Sequence, residues 1–360
     1  MITEIVTSAE DLTAGWVSAA LGREVDSVDA AAVGTGQIGT CYRLNLTGSD
    51  VPERLLAKLP ASDPATREML AGVYRSEVRF YTLIADTVAI RVPRCFYSAS
   101  SETGADFTLL LEDMSPAEQG DQLAGCTVDQ ARDAVINLAG LHGPRWCDPT
   151  LLDIDGMSIN GPDDAKMMAE LYGPATKIFV EALGDLIAEE DRRTLWECVD
   201  VCEAWTLGRA ERFGLVHGDY RLDNLLFPPD GGPGVSAIDW QTLSLALPAR
   251  DLAYFLGTSL SPQQRRTHES ALVADYHKAL VTQGVTDYDL DACWDDYRFA
   301  MVQGPLVSVF GCAYGSRTDR GDRMFAAMVA RSCAAIRDLG TIALAAESPT
   351  SWRSADAGRR

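Results

Sequence analysis

The chain has 360 residues, 47% hydrophobic and 23% charged, an ordinary balance for a protein with ample core material; at roughly 150 residues per domain it suggests about two domains. Its 31 Lys and Arg against 52 Asp and Glu give a formal charge of −21, which argues against nucleic acid and an anionic membrane surface as partners. The same acidity either steers neutral or cationic ligands inward or serves only solubility.

Met1 to Leu12 is acidic and shows neither the basic flank nor the apolar stretch of a secretory leader. Ser8 to Leu21 reads as a capped helix. Tyr42, Leu44 and Leu46 alternate with Cys41, Arg43 and Asn45, as in a strand, and Leu55, Ala57 and Leu59 alternate with Leu56 and Lys58 in another. Asp63-Pro64 opens a helix that carries Met69, Val73, Phe80 and Ile84 along one face. Val92 to Ala99 and Phe107 to Leu111 read as two further strands.

After Met114 the pattern turns helical. Thr127 and Gln130 form a capping box for a helix through Leu141. Further helices are predicted over about 163–188, 190–212, 248–258, 262–283, 287–315 and 320–345. Leu215 to Gln241 reads instead as loop, strand, turn and strand, punctuated by Gly231-Gly232-Pro233-Gly234. The expected organisation is a small strand-rich lobe over 1–113, a large helical lobe over 114–346 and a frayed tail over 347–360. Phe299 to Tyr314 is apolar but interrupted by Gln303, Gly304 and Pro305, and too short to cross a bilayer. Nine cysteines lie scattered, with no CxxC pair and no zinc-ligand spacing, which leads to an expectation of reduced thiols in a cytoplasm.

The residues with the strongest chemical content are His217-Gly218-Asp219-Tyr220-Arg221-Leu222-Asp223-Asn224 and Ile238-Asp239-Trp240. Phosphoryl transfer needs a carboxylate to orient or deprotonate the attacking hydroxyl and oxygen ligands to hold Mg²⁺ against the phosphates. Asp219 suits the first task as base; Asn224, five residues on, and Asp239 suit the second as metal ligands. The alternative is that these acids only cap turns. Gly34-Thr35-Gly36-Gln37-Ile38-Gly39 fits GxGxxG but precedes a strand, so a glycine hairpin over nucleotide phosphates suits it better than a dinucleotide fingerprint; a plain hairpin turn is the alternative. Glu77 lies in line with the apolar stripe of its helix, where a carboxylate is costly unless paired, and Lys58 on the neighbouring strand is its natural partner. Such a pair holds nucleotide phosphates in kinases. Alternatively Glu77 sits at the stripe's edge and reaches water.

In this combination the chain resembles the aminoglycoside phosphotransferase and choline kinase superfamily, closest in flavour to its ecdysteroid-kinase-like branch, over about residues 30 to 340. The resemblance rests on the His-Gly-Asp loop, Asn224, the Ile-Asp-aromatic-Gln segment at Ile238 to Gln241, and Asp251-Leu252-Ala253-Tyr254-Phe255-Leu256. It implies a protein-kinase-like α+β fold: a small mixed lobe with an antiparallel sheet and a larger, mostly helical lobe. It implies an enzyme that uses Mg²⁺ and ATP, with GTP left open, to phosphorylate a hydroxyl group of a small molecule. It implies that Leu109 to Met114 is the strand and hinge whose backbone, at Glu112 and Met114, binds adenine; a plain buried strand end is the alternative. Family members act on aminoglycosides, choline, sugars, amino acids, macrolides and steroids; the acceptor and the oligomeric state stay open.

The resemblance makes His217 a loop organiser, and Asp251 reads as an anchor of that loop through backbone hydrogen bonds. His142 reads as a satisfied structural histidine, His268 and His277 as surface residues, and Asp223 as solvent-facing or a loop cap. Asp291, Asp295 and Asp296, among Trp294, Tyr297 and Phe299, either hold an ammonium group of the acceptor or form a solvated helix face. A protein kinase is disfavoured, because only eleven residues separate Asp239 from Asp251 and no His-Arg-Asp is present. A nucleotide-binding scaffold without turnover is the rival of another class.

Overall fold

A computed structural model describes residues 4–34 and 39–347. Gly36 and the expected tail beyond residue 347 lie outside the described residues. The chain divides into two units: Met1–Thr87 with Arg91–Ala117 and Ser236–Leu243, and Val88–Ile90 with Glu118–Val235 and Ser244–Arg360.

The first unit is a sheet with helices. Helix α1 (Ala14–Leu21) is shorter than the predicted Ser8–Leu21, because Thr13 turns extended and accepts from Trp16 N at 3.2 Å, cutting off a 3₁₀ turn at Ala9–Asp11. Next comes β1 (Val25–Val33), which the sequence did not suggest. It is the edge strand of the sheet and six of its nine residues are exposed, so it has no alternating apolar pattern to announce it. Strands β2 (Gly39–Gly48) and β3 (Arg54–Pro60), helix α2 (Pro64–Arg79), and strands β4 (Cys95–Ser100) and β5 (Phe107–Glu112) follow. The strands form one antiparallel sheet in the order β1-β2-β3-β5-β4.

The alternation in β3 does what period-two patterning dictates: Leu55, Ala57 and Leu59 are fully buried, while Lys58 lies on the other face. Leu44, Leu46 and Leu110 join them in one core. Asp63 caps α2 by accepting from Thr66 N at 2.8 Å. The helix continues through a π turn at Phe80–Ile84. Met69, predicted on its buried stripe, is 76% exposed; the buried side is Tyr74, Glu77, Val78, Phe80, Tyr81 and Ile84. The π turn adds a residue to the repeat and rotates the stripe, which a fixed 3.6 period cannot anticipate.

The second unit is mostly helical. It contains β6 (Glu118–Gln119), α3 (Val128–His142), α4 (Pro162–Leu183), α5 (Glu189–Leu207), β7 (Gly214–Val216) and β8 (Leu225–Phe227); β9 (Ser236–Ala237) follows in sequence but counts with the first unit. Then come β10 (Ser244–Ala246), α6 (Ala249–Ser259), α7 (Pro262–Thr282), α8 (Leu290–Phe299), α9 (Gln303–Tyr314), α10 (Asp319–Leu339) and α11 (Thr341–Glu347). The capping box of α3 is complete: Thr127 Oγ1 accepts from Gln130 N at 3.2 Å, and Gln130 Oε1 accepts from Thr127 N at 3.0 Å. The single helix predicted over 287–315 is two, separated by a 3₁₀ turn at Ala300–Val302. The one predicted over 320–345 breaks at Gly340, whose φ of 67° suits a residue without a side chain. Among the described residues, no helix is long and apolar enough to cross a membrane.

Candidate active site

In the first unit, β3 presents Lys58 and α2 presents Glu77. Lys58 Nζ lies 2.6 Å from Glu77 Oε2 and donates to Glu77 Oε1 at 2.8 Å; Glu77 is 1% exposed, so it does not reach water from the edge of its stripe. Asp239 Oδ1 accepts from the same ammonium at 3.2 Å. Burial works to lower the Lys58 pKa, but Glu77 and Asp239 outweigh it and hold it above the ordinary lysine range, so the amine stays charged. Gln241 sits among these charges. In one orientation its amide donates to Glu77 Oε2 at 3.3 Å; in the other it donates to Asp239 at 3.2 Å and accepts from Lys58 at 3.1 Å.

The segment that carries Asp239 is fixed from within the same unit. Ala237 N donates to Arg91 O at 2.9 Å, and Trp240 stacks on Phe80 with ring centroids 3.5 Å apart and planes within 2°. Asp239 itself has φ of 68°, a left-handed conformation that costs a non-glycine residue on the order of 1 kcal/mol and that aspartate tolerates better than most. Strain of that kind concentrates at functional sites. Asp239 keeps 38% of its side chain exposed.

At the end of β5, Arg94 N donates to the Glu112 carboxylate at 3.1 Å and Ala117 N donates to Met114 O at 2.9 Å. The intervening Asp113 accepts from Arg43 Nε at 2.7 Å and from Ser115 N at 3.0 Å. Gly34 has φ of 73°, and a Cβ on Gly39 would meet Leu59 O at 2.7 Å, so both positions require glycine for backbone reasons.

In the second unit the loop after β7 carries Asp219. Its carboxylate accepts three hydrogen bonds: Tyr254 hydroxyl to Oδ1 at 2.8 Å, Arg221 Nε to Oδ2 at 3.0 Å and Asn224 Nδ2 to Oδ2 at 2.9 Å. Arg221 is held charged, since Asp219, Tyr254 and Asp223 more than offset the effect of its burial. Asp251, fully buried in α6, accepts from His217 N at 2.6 Å and Gly218 N at 2.9 Å, so it anchors the loop by its backbone. Gly218 turns the chain at φ of 82°. His142 is a satisfied buried histidine, with Nδ1 at 2.7 Å from Tyr276 hydroxyl and Nε2 at 3.3 Å from Asp251. His217 Nδ1 accepts from Asp219 N at 3.3 Å, inside the loop.

Three readings of the sequence need correction. Asp223 is neither solvent-facing nor a mere cap: it accepts from Gln122 N at 2.9 Å and pairs with Arg221 and Arg320. His268 and His277 are half-buried, and His277 Nε2 lies 2.7 Å from Tyr288 O. Asp296 is fully buried and neutralised by Arg209 and by Arg212, whose Nε is 2.7 Å away, with Tyr288 hydroxyl at 2.9 Å; Asp295 pairs with Arg209 at 2.6 Å. Those two carboxylates are committed to arginines of their own chain and are not free for an ammonium ligand. Tyr254, Arg221 and Gln241 belong to the described clusters although sequence reasoning gave them no role. Each lies within a quoted motif, and only the fold shows what each side chain touches.

Residues 30–284 match the phosphotransferase enzyme family, and the chain belongs to that family. The match does not single out the ecdysteroid-kinase-like branch. Among solved structures, the chain is similar to an aminoglycoside phosphotransferase homologue of Ralstonia eutropha JMP134, at 16% identity and a TM-score of 0.59, covering 96% of this chain and 100% of that one. It is also similar to choline kinase of Cryptosporidium parvum Iowa II, at 12% identity and a TM-score of 0.53, covering 84% and 88%. The fold is therefore the kinase-like α+β fold of these enzymes. A stretch of 48 residues is 46% identical to acyl-CoA dehydrogenase family member 10 of Mus musculus, which amounts to 13% of this chain and 4% of that protein's length.

Proposed function

We propose that the protein transfers the γ-phosphoryl group of ATP, with magnesium, to a hydroxyl group of a small molecule. The observation that carries the reading is the Asp219 carboxylate, held by three donors on an anchored loop yet 23% exposed. A carboxylate so placed orients an incoming hydroxyl and receives its proton as the phosphoryl group is transferred. Lys58, kept charged by Glu77, is assigned to the nucleotide phosphates, Gly34 and Gly39 to the glycine-rich segment beside them, and the backbone at Glu112 and Met114 to adenine.

Asp239 and Asn224 are each assigned to magnesium by the chemistry of their own side chains. Asp239 offers a half-exposed carboxylate, and Asn224, whose Nδ2 donates to Asp219, has its amide oxygen left as a ligand atom. When bound, magnesium would supply neutralisation of the phosphate charge. What the chain's own residues contribute is positioning and fixed charge. A neutral or cationic hydroxyl compound is the acceptor class we favour; relatives named for choline and aminoglycosides and the net charge of −21 support it. The nine free cysteines suit a reducing, cytoplasmic setting.

The test is ADP release from Mg-ATP, with Mg-GTP alongside, across aminoglycosides, choline and amino alcohols, sugars and hydroxylated sterols. Asp219→Asn should lower turnover by roughly 10²- to 10⁴-fold and leave nucleotide affinity within a few-fold. Turnover unchanged in Asp219→Asn would overturn the base assignment, and clear Mg-ATP binding with no turnover on any acceptor would mark a nucleotide-binding scaffold.

A further inference from the structure

An ionised carboxylate offers about four lone-pair positions, and Asp219 has three of them occupied by this chain. Two donors, Arg221 Nε and Asn224 Nδ2, sit on Oδ2; one, the Tyr254 hydroxyl, sits on Oδ1. Arg221 and Asn224 belong to the same loop as Asp219 and would move with it. Tyr254 belongs to α6, one helical turn after Asp251 and so on the same side of that helix. Helix α6 thus grips the loop twice: Asp251 holds the backbone at His217 and Gly218, and Tyr254 holds the side chain of Asp219.

We infer that Tyr254 is a positioning residue for phosphoryl transfer: its hydroxyl fixes the rotation of the Asp219 carboxylate so that one lone pair, on Oδ1, faces the acceptor. The inference rests on the phosphotransfer reading and adds to it which oxygen receives the hydroxyl. Tyr254 is rigid enough for the task. It is fully buried, packs against Met324 and Met328, and its own backbone oxygen accepts from Thr258 hydroxyl at 2.6 Å. Its phenol always carries its proton near neutrality, because burial first and then the charge of Asp219 push its pKa well above the ordinary tyrosine value. Toward the Asp219 carboxylate it therefore acts as the donor.

Tyr254→Phe tests this, because it removes one oxygen and keeps the buried ring. ADP release from Mg-ATP is measured in wild type, Tyr254→Phe and Asp219→Asn, with water or the best hydroxyl compound as acceptor. The expected result is a kcat about tenfold lower in Tyr254→Phe with a nucleotide KM within about twofold. A merely structural tyrosine would lower the melting temperature and leave the kcat of the folded enzyme where it was. An active wild type with an inactive Asp219→Asn and a Tyr254→Phe that matches wild type in kcat would overturn the inference alone. Wild type and Asp219→Asn with equal rates would sink the phosphotransfer reading, and the inference with it.

Discussion

Lys58→Met is the perturbation whose consequences the structure sets out most fully. Lys58 is the only cation bonded to Glu77 among the described contacts, and Glu77 is 1% exposed. Methionine fills similar space and leaves the carboxylate with the Gln241 amide at 3.3 Å. Removing one partner of a buried pair costs about 3–5 kcal/mol, because a bare charge stays behind. The lower end applies here, since Gln241 persists and Lys58 itself keeps 12% of its side chain exposed. A loss of about 3 kcal/mol is on the order of a hundredfold in the folding equilibrium.

The loss has a pH signature. In wild type the Lys58 pKa is raised by Glu77 and Asp239 against the opposing effect of burial, so its contribution is fully present below the ordinary lysine value of 10.5 and is lost only above it. In the variant Glu77 can escape its cost only by taking a proton, so the deficit should be larger near pH 8 than near pH 5. The assay is urea unfolding of wild type, Lys58→Met, Glu77→Gln and the double variant at both pH values. The double variant should recover at least about 1.5 kcal/mol relative to Lys58→Met, since neither buried charge remains. An unfolding midpoint for Lys58→Met equal to wild type at both pH values, or a double variant no more stable than the single one, would refute the argument.

Asp251→Asn replaces an acceptor-only group with one whose amide nitrogen must face His217 N or Gly218 N; a cost of about 3 kcal/mol and loss of turnover are expected, checked by urea unfolding and ADP release, and a stable, active variant would show that the loop holds itself. Stability should decline as pH falls below about 4. Asp223, Asp338 and Asp113 all have lowered pKa values, because Arg320 at Asp223, Arg266 and Arg265 at Asp338, and Ser115 and Arg43 at Asp113 outweigh the effect of burial. Groups lowered in this way contribute stability above the ordinary aspartate value of 3.8 and lose it as pH falls through their folded values. A thermal midpoint flat between about pH 6 and pH 3 would contradict this.

What could be read from residues alone followed from short-range rules. The α3 capping box is a contact between residues three apart, so the sequence contains both halves of it. The face of β3 that is buried, and hence the side on which Lys58 lies, follows from period-two alternation over Leu55 to Leu59. A carboxylate in line with the apolar stripe of α2 demanded a cation, and Lys58 was near enough in sequence to be named. The His-Gly-Asp loop with Asn224 also carries its own signature, because Asn224 Nδ2 reaches back only five residues to Asp219.

Tertiary structure decided what depends on partners far apart along the chain or on breaks in a period. Edge strand β1 has no buried alternation and exists because β2 pairs with it from Val25 to Val33. The π turn after α2 moved Met69 off the buried stripe. Asp296 looked like a ligand for an ammonium group until Arg209 and Arg212, more than 80 residues away, took both its oxygens. Tyr254 lies 35 residues beyond Asp219, and only the packing of α6 against the loop brings its hydroxyl to that carboxylate. Local pattern selects which residues are buried and which loops carry charge; the hydrogen-bond partner of each charge is set by chain segments that no local rule relates.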